Sequence, residues 1–500
     1  MRHTSLTRNA SMAVIQALVS GGVLFLLYRY LLNTIGPEQV GIWSVVLAAA
    51  SASRISELGF AGSAVKFTAK YIARGEINKA SEIIQTTAIT IGVTLAGVLA
   101  IGYLILTWMM PLFIPVAHTQ ITMTILPYAL VSVWIGSIAG VFSSGLEGCQ
   151  RVDLRAWMSI VASILLLVLS RLLVPDYGLI GLAWAQIGQG IVMCTGSRLL
   201  LLREMPNYSL RLGGWRYSLF REMIHYGANF QITSIFAMLF EPTAKALMAK
   251  YGGLNMTAYF EMANRMVIQF RSLLVAANQA VVPRIAALQE REPETVRSTY
   301  CESYRIVFSL SLPLYTGIAA MAPLVSEIWI GHYEQTFINF TIILSAGFWI
   351  NNLVAPAYFV NLGTGILRWN TISHVANGII NALLGYLLGS LYGGNGVIVG
   401  YVLALVVGSI IIILGYHHDN HLPLAELLPT ESYKLFFACC AGLLSGWILF
   451  NQLVFSTHFH AKTLLPLVLT IIIICPVCWI HPIRSRLLDR FVDTARKKVR

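Results

Sequence analysis

Seven ionisable residues lie deep inside apolar stretches of the sequence: Arg54, Glu57, Glu241, Lys245, Glu261, Arg265 and Arg271. Where such a stretch crosses a bilayer, a charge near its centre costs at least about 2.5–3.5 kcal/mol. Ionisable residues in these positions are expected to form ion pairs, to line water-filled cavities or to bind charged ligands. All seven are therefore candidate site residues.

The spacing of these residues predicts two ion pairs within single helices. Glu57 follows Arg54 by three residues and Lys245 follows Glu241 by four, so each pair shares one helix face. The pairs could lock neighbouring helices together. Alternatively, their carboxylates, with that of Glu261, could couple a conformational cycle to protons or sodium ions. Residue types and spacing leave both alternatives open.

A third group, Glu261, Arg265 and Arg271, carries more positive than negative charge. Glu261 can neutralise only one of the two arginines. A surplus of arginine at mid-membrane depth predicts a water-filled cavity or an anionic cargo. The candidate cargo-binding residues are therefore Arg265 and Arg271, followed by Arg54 and Lys245.

The composition predicts that lipid surrounds most of the chain. Of the 500 residues, 57% are hydrophobic and only 11% are charged, about half the charged share of an ordinary soluble domain. The net charge of +12 does not indicate a nucleic-acid-binding protein, because the basic residues cluster between the apolar stretches. We predict an all-α polytopic membrane protein of about fourteen transmembrane helices, near residues 11–33, 40–63, 83–107, 123–147, 155–175, 178–202, 223–247, 254–282, 304–328, 336–361, 369–391, 394–416, 434–455 and 463–481.

The distribution of Lys and Arg orients these helices. With the N-terminus in the cytoplasm, nearly all basic residues of the connecting segments fall on the cytoplasmic side, as the positive-inside rule requires. The few exceptions are Arg29, Arg171, Lys250 and Lys462. We predict that both termini are cytoplasmic. Similar openings of the first and seventh helices predict two six-helix lobes in parallel pseudo-repeat, 1–210 and 211–420. Two additional helices (421–482) and a basic cytoplasmic tail (483–500) would follow.

Other candidate chemistry is weak. Cys475 and Cys478 form a C-x-x-C motif within an apolar stretch, where small packing residues are the preferred interpretation. Segment 417–421 contains three histidines and could bind a metal, although a solvated loop is the preferred interpretation. The sequence has no Walker A motif and no evident nucleophile–base constellation. We therefore expect no cofactor, no metal site and no enzyme activity, and transport is favoured over catalysis.

Four groups of residues match the motifs of one family. They are the segment Asn9–Gly41 with Gln16, the run Glu57–Gly62, the hexapeptide Leu146-Glu147-Gly148-Cys149-Gln150-Arg151, and Tyr259, Ala263, Asn264, Arg265 and Pro283 of the eighth span. Together they resemble the bacterial Wzx-type polysaccharide flippases, within the multidrug/oligosaccharidyl-lipid/polysaccharide exporter superfamily. The resemblance covers about residues 1–420.

The resemblance implies a bacterial inner-membrane flippase. Its cargo would be an undecaprenyl-diphosphate-linked oligosaccharide, moved between leaflets by alternating access for the assembly of O-antigen or exopolysaccharide. The implied partners are this lipid-linked oligosaccharide, membrane lipids, a coupling ion (H⁺ or Na⁺) and a polysaccharide polymerase or export machinery. Nucleic acid is not among them.

Three alternatives remain open. A flippase for the lipid-linked peptidoglycan precursor would also need a cationic cavity and fourteen helices. A drug/cation antiporter of the same superfamily would need a cavity dominated by carboxylates, whereas the charges here are net basic. A membrane polymerase or ligase would need a large outer loop, and the predicted outer segments are short.

Overall fold

The computed structural model describes residues 6–54, 60–205, 214–228, 231–279, 285, 288–289, 291–424, 427–428, 430–452 and 459–482. These residues are almost entirely helical and contain no β-strand, which confirms the predicted all-α class. The helices are α1 (Leu6–Ala52), α2 (Phe60–Ala73), α3 (Ile77–Met109), α4 (Val116–Gly148), α5 (Val152–Glu204), α6 (Tyr217–Ala228), α7 (Gln231–Gln279), α8 (Pro293–Ile330), α9 (Gln335–Asn352), α10 (Ala355–Thr364), α11 (Arg368–Asp419), α12 (Thr430–Gln452) and α13 (Phe459–Ile480).

Within the described part of the chain, nine helices are long and apolar enough to cross a bilayer, so the protein is a multi-pass membrane protein. Helix α7 is not among the nine, although its 49 residues are ample. Its charged residues, which include five of the candidate site residues, reduce its apolar character. The predicted total of fourteen spans stays a prediction.

Helices α1, α5, α7 and α11 each contain a sharp break at one glycine. The 47 residues of α1 would extend about 70 Å as one straight helix, more than twice the ~30 Å of the hydrocarbon core. Backbone breaks with positive φ occur at Gly36, Gly178, Gly253 and Gly393. Each long helix therefore consists of two arms joined at a glycine.

In α5 and in α11, the two arms of the same helix pack against each other and form an antiparallel hairpin. At Gly188 a Cβ atom would overlap with Leu169 on the opposite arm of α5. At Gly408 it would overlap with Asn377 of α11. A side chain at either position would have to displace a side chain of the opposite arm, so glycine allows the arms to approach closely.

The order of helices and breaks repeats along the chain at an offset of about 216 residues. Gly253 follows Gly36 at this offset, and Gly393 follows Gly178. The starts of α3 and α8, and those of α5 and α11, are separated by nearly the same interval. This repeat supports the predicted lobes 1–210 and 211–420, which stay a prediction.

The chain forms two compact units: residues 1–261 with 381–397, and residues 262–380 with 398–500. In the first unit, α1 packs against α4 and α5, and α2 against α3, α4 and α6. In the second unit, α8 packs against α9, α10, α12 and α13. The helices that follow residue 420 are thus part of the packed core of the second unit.

An ion pair on the predicted cytoplasmic side attaches α6 to α2. Lys70 Nζ lies 2.7 Å from Glu222 Oε1, and the Tyr71 hydroxyl donates to Glu222 Oε2 at 2.9 Å. Burial alone would raise the pKa of the Glu222 carboxyl, but the hydrogen bonds from Lys70 and Tyr71 lower it below its usual value. The short helix α6 is therefore anchored to the first unit.

The break in α1 can be tested with two alanine substitutions in the same helix. Gly36 has φ 80° and ψ 166°, a conformation nearly restricted to glycine, and Gly22 is helical. A Cβ atom at either position would meet no atom within 4 Å. We expect Gly36→Ala to lower the free energy of unfolding by about 1–3 kcal/mol and Gly22→Ala to preserve or raise it. Thermal unfolding in detergent measures both, and equal stability of the two variants would contradict the glycine hairpin.

Candidate functional site

The glycine breaks bring four polar residues of the first unit together. Tyr28 and Ser44 lie equally far on either side of Gly36 in the sequence, and Lys245 and Glu261 lie equally far on either side of Gly253. In a helical hairpin, residues equidistant from the turn stand at the same level on opposite arms. Both hairpins therefore present their polar residues at a similar distance from their turns.

These residues form a buried network around Glu261. Lys245 Nζ lies 2.5 Å from Glu261 Oε2 and 2.6 Å from Glu241 Oε1. The Tyr28 hydroxyl donates to Glu261 Oε1 at 3.0 Å, and the Ser44 hydroxyl donates to Oε2 at 3.2 Å. Lys245 and Glu261 are only 3% and 1% exposed, whereas the Glu241 side chain is 37% exposed, so the centre of the network is buried and one carboxylate lies at its edge. We call it the Glu261 network.

The predicted pair Glu241–Lys245 is therefore formed, but it is only half of the network. Glu261, a predicted partner of Arg265 or Arg271, also binds Lys245 across the hairpin. The sequence feature that could have predicted this contact is Gly253, which lies midway between Lys245 and Glu261.

Arg54 lies at a cavity inside the first unit. This N-terminal cavity has a volume of about 520 Å³ and is lined by residues of α1, α4 and α5 and by Arg54 itself. Glu147 and Arg155 also line it and form an ion pair with each other. The predicted partner of Arg54, Glu57, lies outside the described residues, so that ion pair stays a prediction.

Arg271 lines a cavity inside the second unit. This C-terminal cavity has a volume of about 360 Å³, and its polar lining consists of Arg271, Asn351, Asn352, Tyr358, Ser373, His374, Asn377 and Ser409. No carboxylate is among the described residues that line it. The cavity therefore has a basic character.

The Arg271 guanidinium is held within the protein but is not fully hydrogen-bonded. Its Nε is buried and has no hydrogen-bond partner among the described residues, and its guanidinium carbon lies 5.8 Å from the centre of the Phe348 ring. The Oδ1 atoms of Asn351, Asn352 and Asn377 are also buried without a partner in this part of the chain. Arg265 is half-buried on the same helix and does not line this cavity. The polar groups of the residues around the C-terminal cavity are thus not all satisfied within the described structure.

The residues of the Leu146–Arg151 motif build the turn between α4 and α5. Gln150 adopts a positive φ of 59°, and the Arg151 amide donates to the Leu146 carbonyl at 2.9 Å. Asn9 of α1 donates to the Gln150 carbonyl at 3.2 Å and accepts from the Asp153 amide at 3.3 Å. Two of the motifs noted in the sequence therefore contact each other and have a positioning role.

The histidine-rich segment 417–421 is not a metal site in the described structure. Within the described ranges, no group of three or more His, Cys, Asp and Glu side chains could hold a metal ion. His417 is buried, with Nε2 2.9 Å from the Tyr300 hydroxyl and Nδ1 2.9 Å from the Leu422 carbonyl. It ties the end of α11 to α8, so the expectation of a solvated loop is wrong for this histidine.

Comparison with known proteins identifies one family and one fold. Residues 6–289 match the family described as "Polysaccharide biosynthesis protein". No curated protein matches the sequence.

Three solved structures show the shared fold. One is an inward-facing multidrug resistance MATE family transporter of the MOP superfamily (TM-score 0.69, 16% identity, 81% of this chain and 98% of that chain). Another is the lipid II flippase MurJ in an inward closed conformation (TM-score 0.66, 12% identity, 93% of this chain and 97% of that chain). The third is the Vibrio cholerae MATE transporter VcmN (TM-score 0.57, 16% identity, 84% of this chain and 100% of that chain). At these identities the likeness establishes the fold.

The Glu261 network can be tested through stability. Lys245→Met would remove the cation that lies 2.5 Å from the buried Glu261 carboxylate, and we expect it to lower the free energy of unfolding by about 3–5 kcal/mol. Adding Glu261→Gln to this variant should restore part of the loss, because it replaces the buried carboxylate with a neutral amide. The control Arg216→Met breaks an exposed ion pair with Glu82 (2.9 Å, Arg216 61% exposed) and should cost at most about 1 kcal/mol. Denaturant titration in detergent measures all three, and equal losses in the two single variants would contradict the network.

Proposed function

This chain belongs to the polysaccharide biosynthesis protein family, and from that premise we propose that it is a flippase carrying an undecaprenyl-diphosphate-linked oligosaccharide across the bacterial inner membrane. The cargo would serve the assembly of O-antigen or exopolysaccharide at the cell surface. Membrane lipids surround the protein, both termini lie in the cytoplasm, and a polymerase or export machinery receives the translocated cargo. A fold shared with transporters and with a flippase supports this proposal.

The observation that carries the proposal is that Arg271 lines a cavity with no carboxylate among its described lining residues. A cationic side chain beside such a cavity is suited to an anionic ligand. Guanidinium groups bind phosphate oxygens through paired hydrogen bonds, so the cargo's diphosphate fits Arg271 chemically. We assign supporting roles to Arg265 and Arg54.

We assign the Glu261 network to the transport cycle rather than to cargo binding. Lys245 is already bound by two carboxylates, so its positive charge is compensated within the protein. The carboxylates of Glu241 and Glu261 both contact Lys245. We assign these two carboxylates to coupling with a proton or a sodium ion.

Two other transport functions would differ from the proposed one in the molecule that is carried. A drug/cation antiporter would need carboxylates in its binding cavity, and the described lining of the C-terminal cavity has none. A flippase for the lipid-linked peptidoglycan precursor would use the same diphosphate contact, so Arg271 does not separate it from our proposal. The family match favours surface polysaccharide.

Deletion of the gene tests the proposed function directly. We expect the lipid-linked oligosaccharide to accumulate in the inner leaflet and surface polysaccharide to be lost, while peptidoglycan synthesis continues. Unchanged leaflet distribution with intact surface polysaccharide would refute the flippase. A block in peptidoglycan synthesis would instead support the peptidoglycan-precursor alternative.

Arg271→Gln tests the diphosphate contact. The substitution removes the charge and the forked donor, and we expect export of surface polysaccharide to fall at least about tenfold at normal protein levels. The control Arg368→Gln changes an exposed arginine that stacks on Trp369 at 5.0 Å and should export normally. Quantifying surface polysaccharide in the complemented deletion strain gives the result. Full export by Arg271→Gln would show that this arginine has only a structural role.

A further inference from the structure

The short helix α6 exposes one face on the predicted cytoplasmic side of the first unit. On its other face Leu219 and Met223 are buried, and the Met223 carbonyl accepts a hydrogen bond from the Ser63 hydroxyl of α2 at 3.4 Å. The exposed face carries Tyr217, which is 63% exposed, and Arg221, four residues later and therefore adjacent on the helix surface. One face of α6 is thus fixed to the protein, and the other presents an aromatic ring beside a guanidinium group.

Two neighbouring residues just before α6 contact α3 at different levels. The Trp215 indole Nε1 donates to the Thr90 hydroxyl at 3.2 Å, whereas the Arg216 guanidinium forms an ion pair with Glu82 at 2.9 Å. Helix α3 begins on the predicted cytoplasmic side and is ~50 Å long, so its first ~20 Å, up to about Thr90, extends beyond the ~30 Å hydrocarbon core. Glu82 lies about 12 Å closer to the start of α3 than Thr90 does. The indole is therefore on the membrane side and the guanidinium on the cytoplasmic side.

Basic residues outnumber carboxylates around α6. Segments 66–82 and 214–223 contain six bases and three carboxylates, a net charge of +3. Each carboxylate forms an ion pair with one base: Glu76 with Lys79, Glu82 with Arg216, and Glu222 with Lys70. Arg74 and Arg221 are exposed and form no ion pair within the described part of the chain, and the charge of Arg74 acts on the Glu222 carboxyl of α6. These two arginines can therefore bind an anion from outside the protein.

We propose that this surface binds the headgroup of an anionic phospholipid in the cytoplasmic leaflet. The α2–α6 surface, as we call it, consists of the exposed side chains of Arg74, Lys79, Trp215, Arg216, Tyr217 and Arg221. Tryptophan and tyrosine rings favour the membrane–water interface, and bases near that interface attract anionic lipids. A soluble phosphate ion would use the bases but not the aromatic rings, so the combination favours a lipid. The inference goes beyond the proposed function and does not depend on the cargo.

The test compares two lipids that differ in the charge of the headgroup. Purified full-length protein in a non-ionic detergent is mixed with phosphatidylglycerol and with phosphatidylcholine of the same acyl chains, at equal concentrations. Native mass spectrometry gives the ratio of bound phosphatidylglycerol to bound phosphatidylcholine. For the wild-type protein we expect a ratio of at least about ten, because each base near the headgroup contributes about fivefold.

Three variants separate the contributions of charge and aromatic ring. The double variant Arg74→Gln with Arg221→Gln removes the two bases without an ion pair, and we expect the ratio to fall about tenfold. Tyr217→Ser removes an exposed ring without changing the charge and should lower the bound amount of both lipids while keeping their ratio. The control Arg171→Gln with Lys250→Gln removes two exposed bases on the predicted outer side and should keep the wild-type ratio. Thermal unfolding without added lipid checks that every variant folds.

The lipid site is established if the ratio falls in the variant of Arg74 and Arg221, stays unchanged in the control, and does not respond to inorganic phosphate. A wild-type ratio near one, or an unchanged ratio in the variant of Arg74 and Arg221, would overturn the inference. An equal fall in the control would overturn it as well, because net charge rather than this surface would then select the lipid. Displacement of phosphatidylglycerol by inorganic phosphate at the same concentration would assign the surface to a soluble anion instead.

Discussion

The cost of an uncompensated charge in an apolar environment governs the arrangement of this protein. Helix α7 carries charges that would destabilise an isolated transmembrane helix, and the structure accommodates them in two ways. Lys245 and Glu261 compensate each other in a buried network, whereas Arg271 lies against a cavity. The two solutions have different consequences. A paired charge stabilises a conformation, and a charge beside a cavity is available to a ligand.

The glycine breaks determine which charges meet. Successive residues of an α-helix point about 100° apart, so inserting or deleting one residue in an arm would turn Lys245 away from Glu261. The position of Gly253 midway between them therefore specifies the contact as much as the charges do. The same holds for Tyr28, Ser44 and Gly36 in α1. One buried carboxylate thus connects the α1 hairpin to the first-unit part of α7.

Local features of the site could be predicted from the sequence, and non-local ones could not. The ion pair of Glu241 and Lys245 follows from a spacing of four residues within one helix. The approach of Lys245 to Glu261 depends on a turn, and apolar periodicity does not reveal a turn between two helices that are apolar on most faces. The ends of most predicted spans lie close to the ends of the helices or of their arms. The predicted span 40–63 is an exception, because α1 ends at Ala52 and α2 begins only at Phe60. The predicted span 336–361 is another, because it is divided between α9 and α10.

The two cavities could not be predicted from the sequence, for a different reason. Their lining consists largely of serine, glycine, asparagine and glutamine, which also occur in helix contacts of ordinary membrane proteins. The open space beside Gly136 and Gly140 in the N-terminal cavity is a property of the folded state.

Moderate affinity would suit the proposed carrier. Charge-assisted hydrogen bonds to a diphosphate would be strong, at about 1.5–3 kcal/mol each, and several of them would hold the cargo too tightly for release. One arginine beside a cavity with no carboxylate in its described lining would bind an anion without excessive affinity. The Glu261 network includes none of the residues that line either cavity, which is why we propose its carboxylates for coupling rather than for cargo binding.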